Sequence, residues 1–98
     1  MIIQLHLIPS SSISDFADRH GLTMTVRECA TPAVCGRYVA QFDDVEIAKG
    51  NLVESASGYG NTPAEAIARC VERISGKTIA INAFRPTRRE IQVPRLFM

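Results

Sequence analysis

The sequence predicts an α+β fold: an antiparallel sheet with two short helices packed on one face. Three observations lead there. Several stretches alternate apolar and polar residues with period two, as half-buried strands do. Two other stretches carry both helix-start and helix-stop signals. Short glycine-containing turns separate successive strands, which makes neighbours antiparallel. At 98 residues, 46% of them hydrophobic, the chain is long enough for one domain with one modest core. Residues 1–98 are therefore read as a single α+β domain.

The elements follow in order. Ile3, Leu5 and Leu7 alternate with Gln4 and His6, which gives a strand over 2–8, ended by Pro9 and the serines after it. This apolar run is too short to span a bilayer and lacks the basic flank of a signal peptide, so no membrane partner is expected. Ser12 then supplies an N-cap with Asp15 three residues on, and Ile13, Phe16 and Ala17 share one helical face. Gly21 stops that helix, with Leu22 placed to close a Schellman end, so the helix runs over 13–20. Leu22, Met24 and Val26 mark a strand with one wet face, and 30–36 is a loop by its Pro32 and Gly36. Tyr38, Ala40 and Phe42 mark the next strand, which continues through Val45 and Ile47 with a bulge at Asp43-Asp44. Lys49-Gly50-Asn51 makes a hairpin turn, and the return strand covers 52–57.

The clearest element comes next. Thr62 is an N-cap, Pro63 occupies the first helical position and Glu65 the third. Ile67, Cys70, Val71 and Ile74 fall at i, i+3, i+4 and i+7, so a helix is predicted over 63–75, closed by Gly76. Ile79, Ile81 and Ala83 mark a strand, Arg85-Pro86-Thr87 turns the chain, and 88–93 is a last strand with Ile91 and Val93 inward.

The three cysteines, Cys29, Cys35 and Cys70, fit no zinc or redox spacing. Cys70 lies on the apolar face of the second helix. Cys29 and Cys35 flank a loop and pair only if the chain curls back. Three free thiols are expected, and with them a reducing, cytoplasmic compartment. The charge is polarised. Residues 1–76 carry six basic side chains against nine acidic ones, whereas residues 77–98 carry Lys77, Arg85, Arg88, Arg89 and Arg95 against Glu90 alone.

The stretch 12–76 resembles the double-stranded-RNA-binding domain. The likeness is carried by Ile13-Ser14-Asp15-Phe16-Ala17, by Tyr38-Val39-Ala40-Gln41-Phe42, and by Ser57-Gly58-Tyr59-Gly60-Asn61-Thr62 leading into Ala64-Glu65-Ala66-Ile67-Ala68. It implies an α-β-β-β-α core, here with added N- and C-terminal strands. That family holds RNA with lysines at the start of the second helix, a His-bearing loop between its first two strands, and its first helix. The matching positions here are Pro63, Ala64 and Glu65, the uncharged loop 30–36, and Asp15 and Asp18. Carboxylates there repel phosphate, so RNA binding through that surface is not expected. The strand-Gly-Thr-x-x-Glu-Ala-helix segment is also similar to the N-terminal domains of HicB-type antitoxins, which bind a protein toxin. As a whole the chain resembles small accessory proteins of temperate bacteriophages, through Ile74-Ser75-Gly76-Lys77-Thr78-Ile79 and Arg88-Arg89-Glu90-Ile91. That resemblance implies inhibition of a host defence, in the manner of an anti-CRISPR, inside the host cytoplasm.

No constellation reads as catalytic. A nucleophile needs a base in reach and a group to orient it, and the two histidines do not supply that. His6 sits among apolar strand residues, and His20 ends the first helix, where the dipole favours an imidazolium. Asp43, Asp44 and Glu46 lack a cation-loop pattern. The 57–62 segment precedes a helix N-terminus, but it is neither a P-loop nor a dinucleotide fingerprint. No enzyme activity, metal or cofactor is expected.

The best site candidate is the basic cluster. Arg85, Arg88 and Arg89 gather at a turn, with Lys77 and Arg95 nearby, and guanidinium forks suit both phosphates and carboxylates. Tyr59 is a candidate anchor at a loop tip. In the tail, Leu96, Phe97 and Met98 either fold back on the core or enter a partner's groove. The leading expectation is a non-enzymatic phage accessory protein that binds and inhibits a host protein or ribonucleoprotein. The alternatives are nucleic-acid binding on the same arginines and a small-molecule sponge built on the 58–62 loop. Open sheet edges also leave room for a homodimer.

Overall fold

The computed structural model describes residues 10–30 and 36–97. The strand expected over 2–8, with His6, lies outside them, as do Cys35 and Met98. The element order is β1 (Ser10–Ser12), α1 (Ile13–His20), β2 (Met24–Glu28), β3 (Tyr38–Phe42), β4 (Val45–Lys49), β5 (Leu52–Ser55), β6 (Gly58–Gly60), α2 (Pro63–Ile74), β7 (Thr78–Ile81), β8 (Arg89–Gln92) and β9 (Arg95–Phe97).

Both helices start and stop where their capping residues dictate. The Ser12 hydroxyl accepts from the Asp15 amide at 3.1 Å, and the Thr62 hydroxyl accepts from the Glu65 amide at 3.1 Å. Gly21 adopts φ 65°, and the Leu22 amide donates back to the Ala17 carbonyl at 2.9 Å, closing the Schellman end. Helix α2 ends at Ile74, with Ser75 as its cap.

The strands do not form the one sheet expected. They divide into a three-stranded antiparallel sheet, β2-β3-β6, a four-stranded antiparallel sheet, β5-β4-β7-β8, and a parallel pair, β1-β9. The cause lies at Asp43-Asp44. Continuing the register of the Gly50 hairpin, in which Glu46 faces Ser55, would set Ala40 opposite Asn61; it stands instead opposite Gly58, three residues earlier. Asp43 and Asp44 therefore form a turn, with Asp44 in the left-handed region at φ 59°, rather than a simple bulge. The hairpin bends there, and its two halves enter different sheets.

The helices are likewise divided. Helix α2 packs on β6, β3 and β2 and also touches β9, whereas α1 lies against β1 and β9. One core cluster joins them: Phe16 of α1, Phe42, Val45, Ile47, Val71, Ile74, Ile79, Val93 and Leu96 are all buried in it. Burying aromatic and aliphatic side chains of this size stabilises by about 1.5–3 kcal/mol each. Ile91 packs against the same cluster from β8.

The serines of β1, expected to end the first strand, and the tail of β9, expected to fold back on the core or enter a partner's groove, pair with each other from Ser10–Arg95 to Ser12–Phe97. The tail is fixed to the body as well: the Leu96 amide donates to the Ser75 hydroxyl at 2.9 Å, and the Gly76 amide to the Pro94 carbonyl at 3.2 Å. Leu96 thus folds back on the core, while Phe97 stays exposed.

Candidate functional site

The segment 57–62, which precedes the N-terminus of α2, contains a strand. Gly58-Tyr59-Gly60 is strand β6, paired with Ala40, Val39 and Tyr38 of β3. Its glycines face α2. A methyl on Gly58 would overlap the Cys70 amide nitrogen and the Ala66 carbonyl, and one on Gly60 would lie 2.7 Å from the Ala66 amide nitrogen. The glycines serve to let a helix backbone touch a strand. Helix α2 follows directly, its first turn capped by Thr62 and carrying the acidic Glu65. Tyr59 projects to the opposite face, across from Val39, and is 39% exposed.

The same packing fixes Cys70. Its thiol donates to the Ala56 carbonyl at 3.3 Å in a fully buried site, and burial pushes its pKa up to about 11. A thiol held protonated and out of solvent is structural, not a nucleophile. Cys29 and Cys70 are both free thiols.

The basic residues separate into three places. Lys77 follows α2, at the far end of β7 from the arginines, in a shallow groove with Lys49, Glu54 and Thr78. Arg95 opens β9 beside Ser10. Only Arg85, Arg88 and Arg89 come together, in the turn 82–88 and the first residue of β8.

That turn is stitched by its own hydrogen bonds. The Asn82 amide donates to the Asp44 carbonyl at 2.9 Å, the Arg85 amide to the Asn82 carbonyl at 3.0 Å, and the Arg88 amide to the Arg85 carbonyl at 3.0 Å. The Asn82 side chain reaches Thr87 at 3.2 Å, and Asn82, like Asp44, has positive φ. Each arginine also meets an acceptor within the chain. Arg85 pairs with Asp44 at 3.5 Å, Arg88 with Glu90 at 3.9 Å, and Arg89 donates to the His20 carbonyl at the end of α1 at 3.1 Å. The two ion pairs are solvent-exposed and loose, so they add little stability. They do offset the charge of the turn.

Phe84 stands at the tip, 83% exposed, and sequence reading missed it. Beside it a groove of about 290 Å³ is lined by Asp44, Glu46, Asn82, Ala83 and Arg85. The available signal was its position directly before Arg85-Pro86-Thr87, where a strand-end phenylalanine has no facing strand to cover it.

His20 departs from expectation. Burial, with help from the charges of Arg89 and Arg19, lowers its pKa, so the imidazolium expected at the helix end is disfavoured. Its ring instead packs 4.8 Å from that of Phe16.

Among the described residues, no group of three or more His, Cys, Asp or Glu is arranged to hold a metal ion, and no helix is long and apolar enough to cross a membrane. No protein-family model, curated protein or solved structure matches the chain.

Proposed function

We propose that this chain is a non-enzymatic binding protein that docks on a host protein or ribonucleoprotein through the turn 82–88. The observation that carries the reading is Phe84, an almost fully exposed aromatic on a turn whose backbone is already rigid. A large apolar side chain held in water by a preorganised loop loses little entropy when a partner covers it. Aromatics and arginines are the residue types that dominate protein interfaces. Arg85 and Arg88 flank the tip, and their carboxylate partners offset the charge that would draw a phosphate backbone. This favours a protein surface over bare nucleic acid.

The narrower reading is a phage accessory protein of the anti-defence type, acting in the host cytoplasm. It draws its support from the sequence resemblance given above. The double-stranded-RNA-binding-domain-like core draws its support from the order helix, antiparallel strands, helix between α1 and α2.

The test is a tagged pull-down from host lysate, with and without nuclease, comparing the natural chain with Phe84→Ser. A stoichiometric protein that survives nuclease and is lost with Phe84→Ser is the expected result. Recovery of nucleic acid alone, or of proteins that nuclease removes, would overturn the reading in favour of direct nucleic-acid binding, which a steep salt dependence would then confirm.

A further inference from the structure

Tyr59 belongs to a second surface, apart from the turn 82–88. Among the described residues, strand β6 pairs with β3 on one side only and is an edge of its sheet. Exposed edges are normally blunted by charge, proline or a covering element. The other edges of the two antiparallel sheets carry such charges: Arg27 and Glu28 on β2, Glu54 on β5, and Arg89 and Glu90 on β8. β6 has none. Its edge forms the floor of a groove of about 300 Å³, with Tyr59 on one wall and Arg69, Glu72 and Arg73 of α2 on the other.

The charges on the helical wall are two guanidiniums against one carboxylate. Arg69 is held only loosely, at 3.5 Å from Glu65, with 61% of its side chain exposed. Arg73 is anchored, its Nε donating to the Ser55 carbonyl at 2.8 Å. The groove thus combines a backbone floor that can donate and accept, an aromatic wall and a net cationic wall. A fourth strand laid along β6 would alternate its side chains between those walls, because successive residues of a strand point to opposite faces.

We infer that the β6 edge is a strand-addition site for an extended peptide with alternating apolar and acidic side chains. Gly58 and Gly60 face Ala40 and Tyr38 in the ladder and spend their main-chain bonds on β3, so the attachment is supplied by the outward N–H and C=O of Tyr59. Apolar side chains lie against Tyr59, and carboxylates meet Arg69. Charge complementarity selects the acidic peptide over a basic one, and the small residues flanking Tyr59 leave the edge uncrowded.

The test titrates the isotopically labelled full chain with two capped octapeptides, one alternating valine with aspartate and the other valine with lysine, read by backbone amide shifts. The acidic peptide is expected to move the amides of Ser57, Gly58, Tyr59, Gly60 and Asn61 and to bind at least about tenfold more tightly than the basic one. Arg69→Gln is expected to shrink that preference severalfold with an unchanged melting curve, and Phe84→Ser to leave it intact. Shifts absent from these amides, equal affinity for both peptides, or shifts at Ser57–Asn61 that grow with protein concentration alone would each overturn the proposal, the last in favour of self-association.

Discussion

Two regions of this chain invite opposite first impressions, and the structure exchanges them. The Ser57–Thr62 segment has the glycines of a ligand loop, yet both glycines are consumed in seating α2 on β6. The 82–88 turn has the arginines of a phosphate site, yet each arginine meets an acceptor from its own chain and the unsatisfied group is a phenylalanine. Composition reports which residues are present. Whether a glycine is a flexible joint or a packing surface, and whether an arginine is free or met, depends on residues far away in sequence: Cys70 for Gly58, Asp44 for Arg85.

The sharpest way to break this contrast is Gly58→Ala. The new methyl meets helix backbone that cannot rotate away, so a loss of about 3 kcal/mol or more is expected. A denaturant melt would show it; a fold that tolerates Gly58→Ala would mean that β6 and α2 do not touch as described.

Phe84→Ser is the mirror experiment. At 83% exposure it should leave stability within about 0.5 kcal/mol of the natural chain. It should weaken a partner captured through the turn by about 30-fold, the scale of an interface hot spot. A combined melt and binding isotherm separates the two effects.

Thr62→Ala removes the cap of α2 and is expected to cost about 1 kcal/mol in the same melt. Because Thr62 leads directly from β6 into the helix, the loss should appear without any change in binding at the turn.

The smallest effect concerns His20. Its pKa lies below the ordinary value of 6.5 in the fold, so the unfolded chain binds the proton more readily. Its contribution is therefore present above that value and is lost as the pH falls through the lower folded pKa. His20→Gln should flatten stability against pH on that acid limb and leave it unchanged near neutrality.

Local signals were legible where the physics is local. The N-caps Ser12 and Thr62, the stop at Gly21 and the 3.6-residue spacing from Ile67 to Ile74 set the helices within a residue of their observed ends. The Gly50 hairpin was equally readable. What sequence could not reveal was decided by long-range register. Gly58-Tyr59-Gly60 has turn composition and becomes a strand only because β3 pairs with it. The division into two antiparallel sheets depends on a three-residue slip at Asp43-Asp44, which alternation alone does not measure. In the candidate site, Arg85, Arg88 and Arg89 were legible as neighbours in sequence, but not the separate acceptors, Asp44, Glu90 and the His20 carbonyl, that they meet. Phe84 was not, because a pattern of apolar residues does not say which of them lacks a covering neighbour.

The parallel pairing of β1 with β9 has a kinetic meaning. Its two strands come from nearly opposite ends of the described chain, so closing that ladder carries the largest loop-closure entropy among the described ladders for only three paired positions. It is therefore the last ladder to form and the first to open. Amide hydrogen exchange should find Ser11 unprotected well before Ile79 or Ala40. The molecule then behaves as a body that folds first and a latch that snaps shut over α1 afterwards.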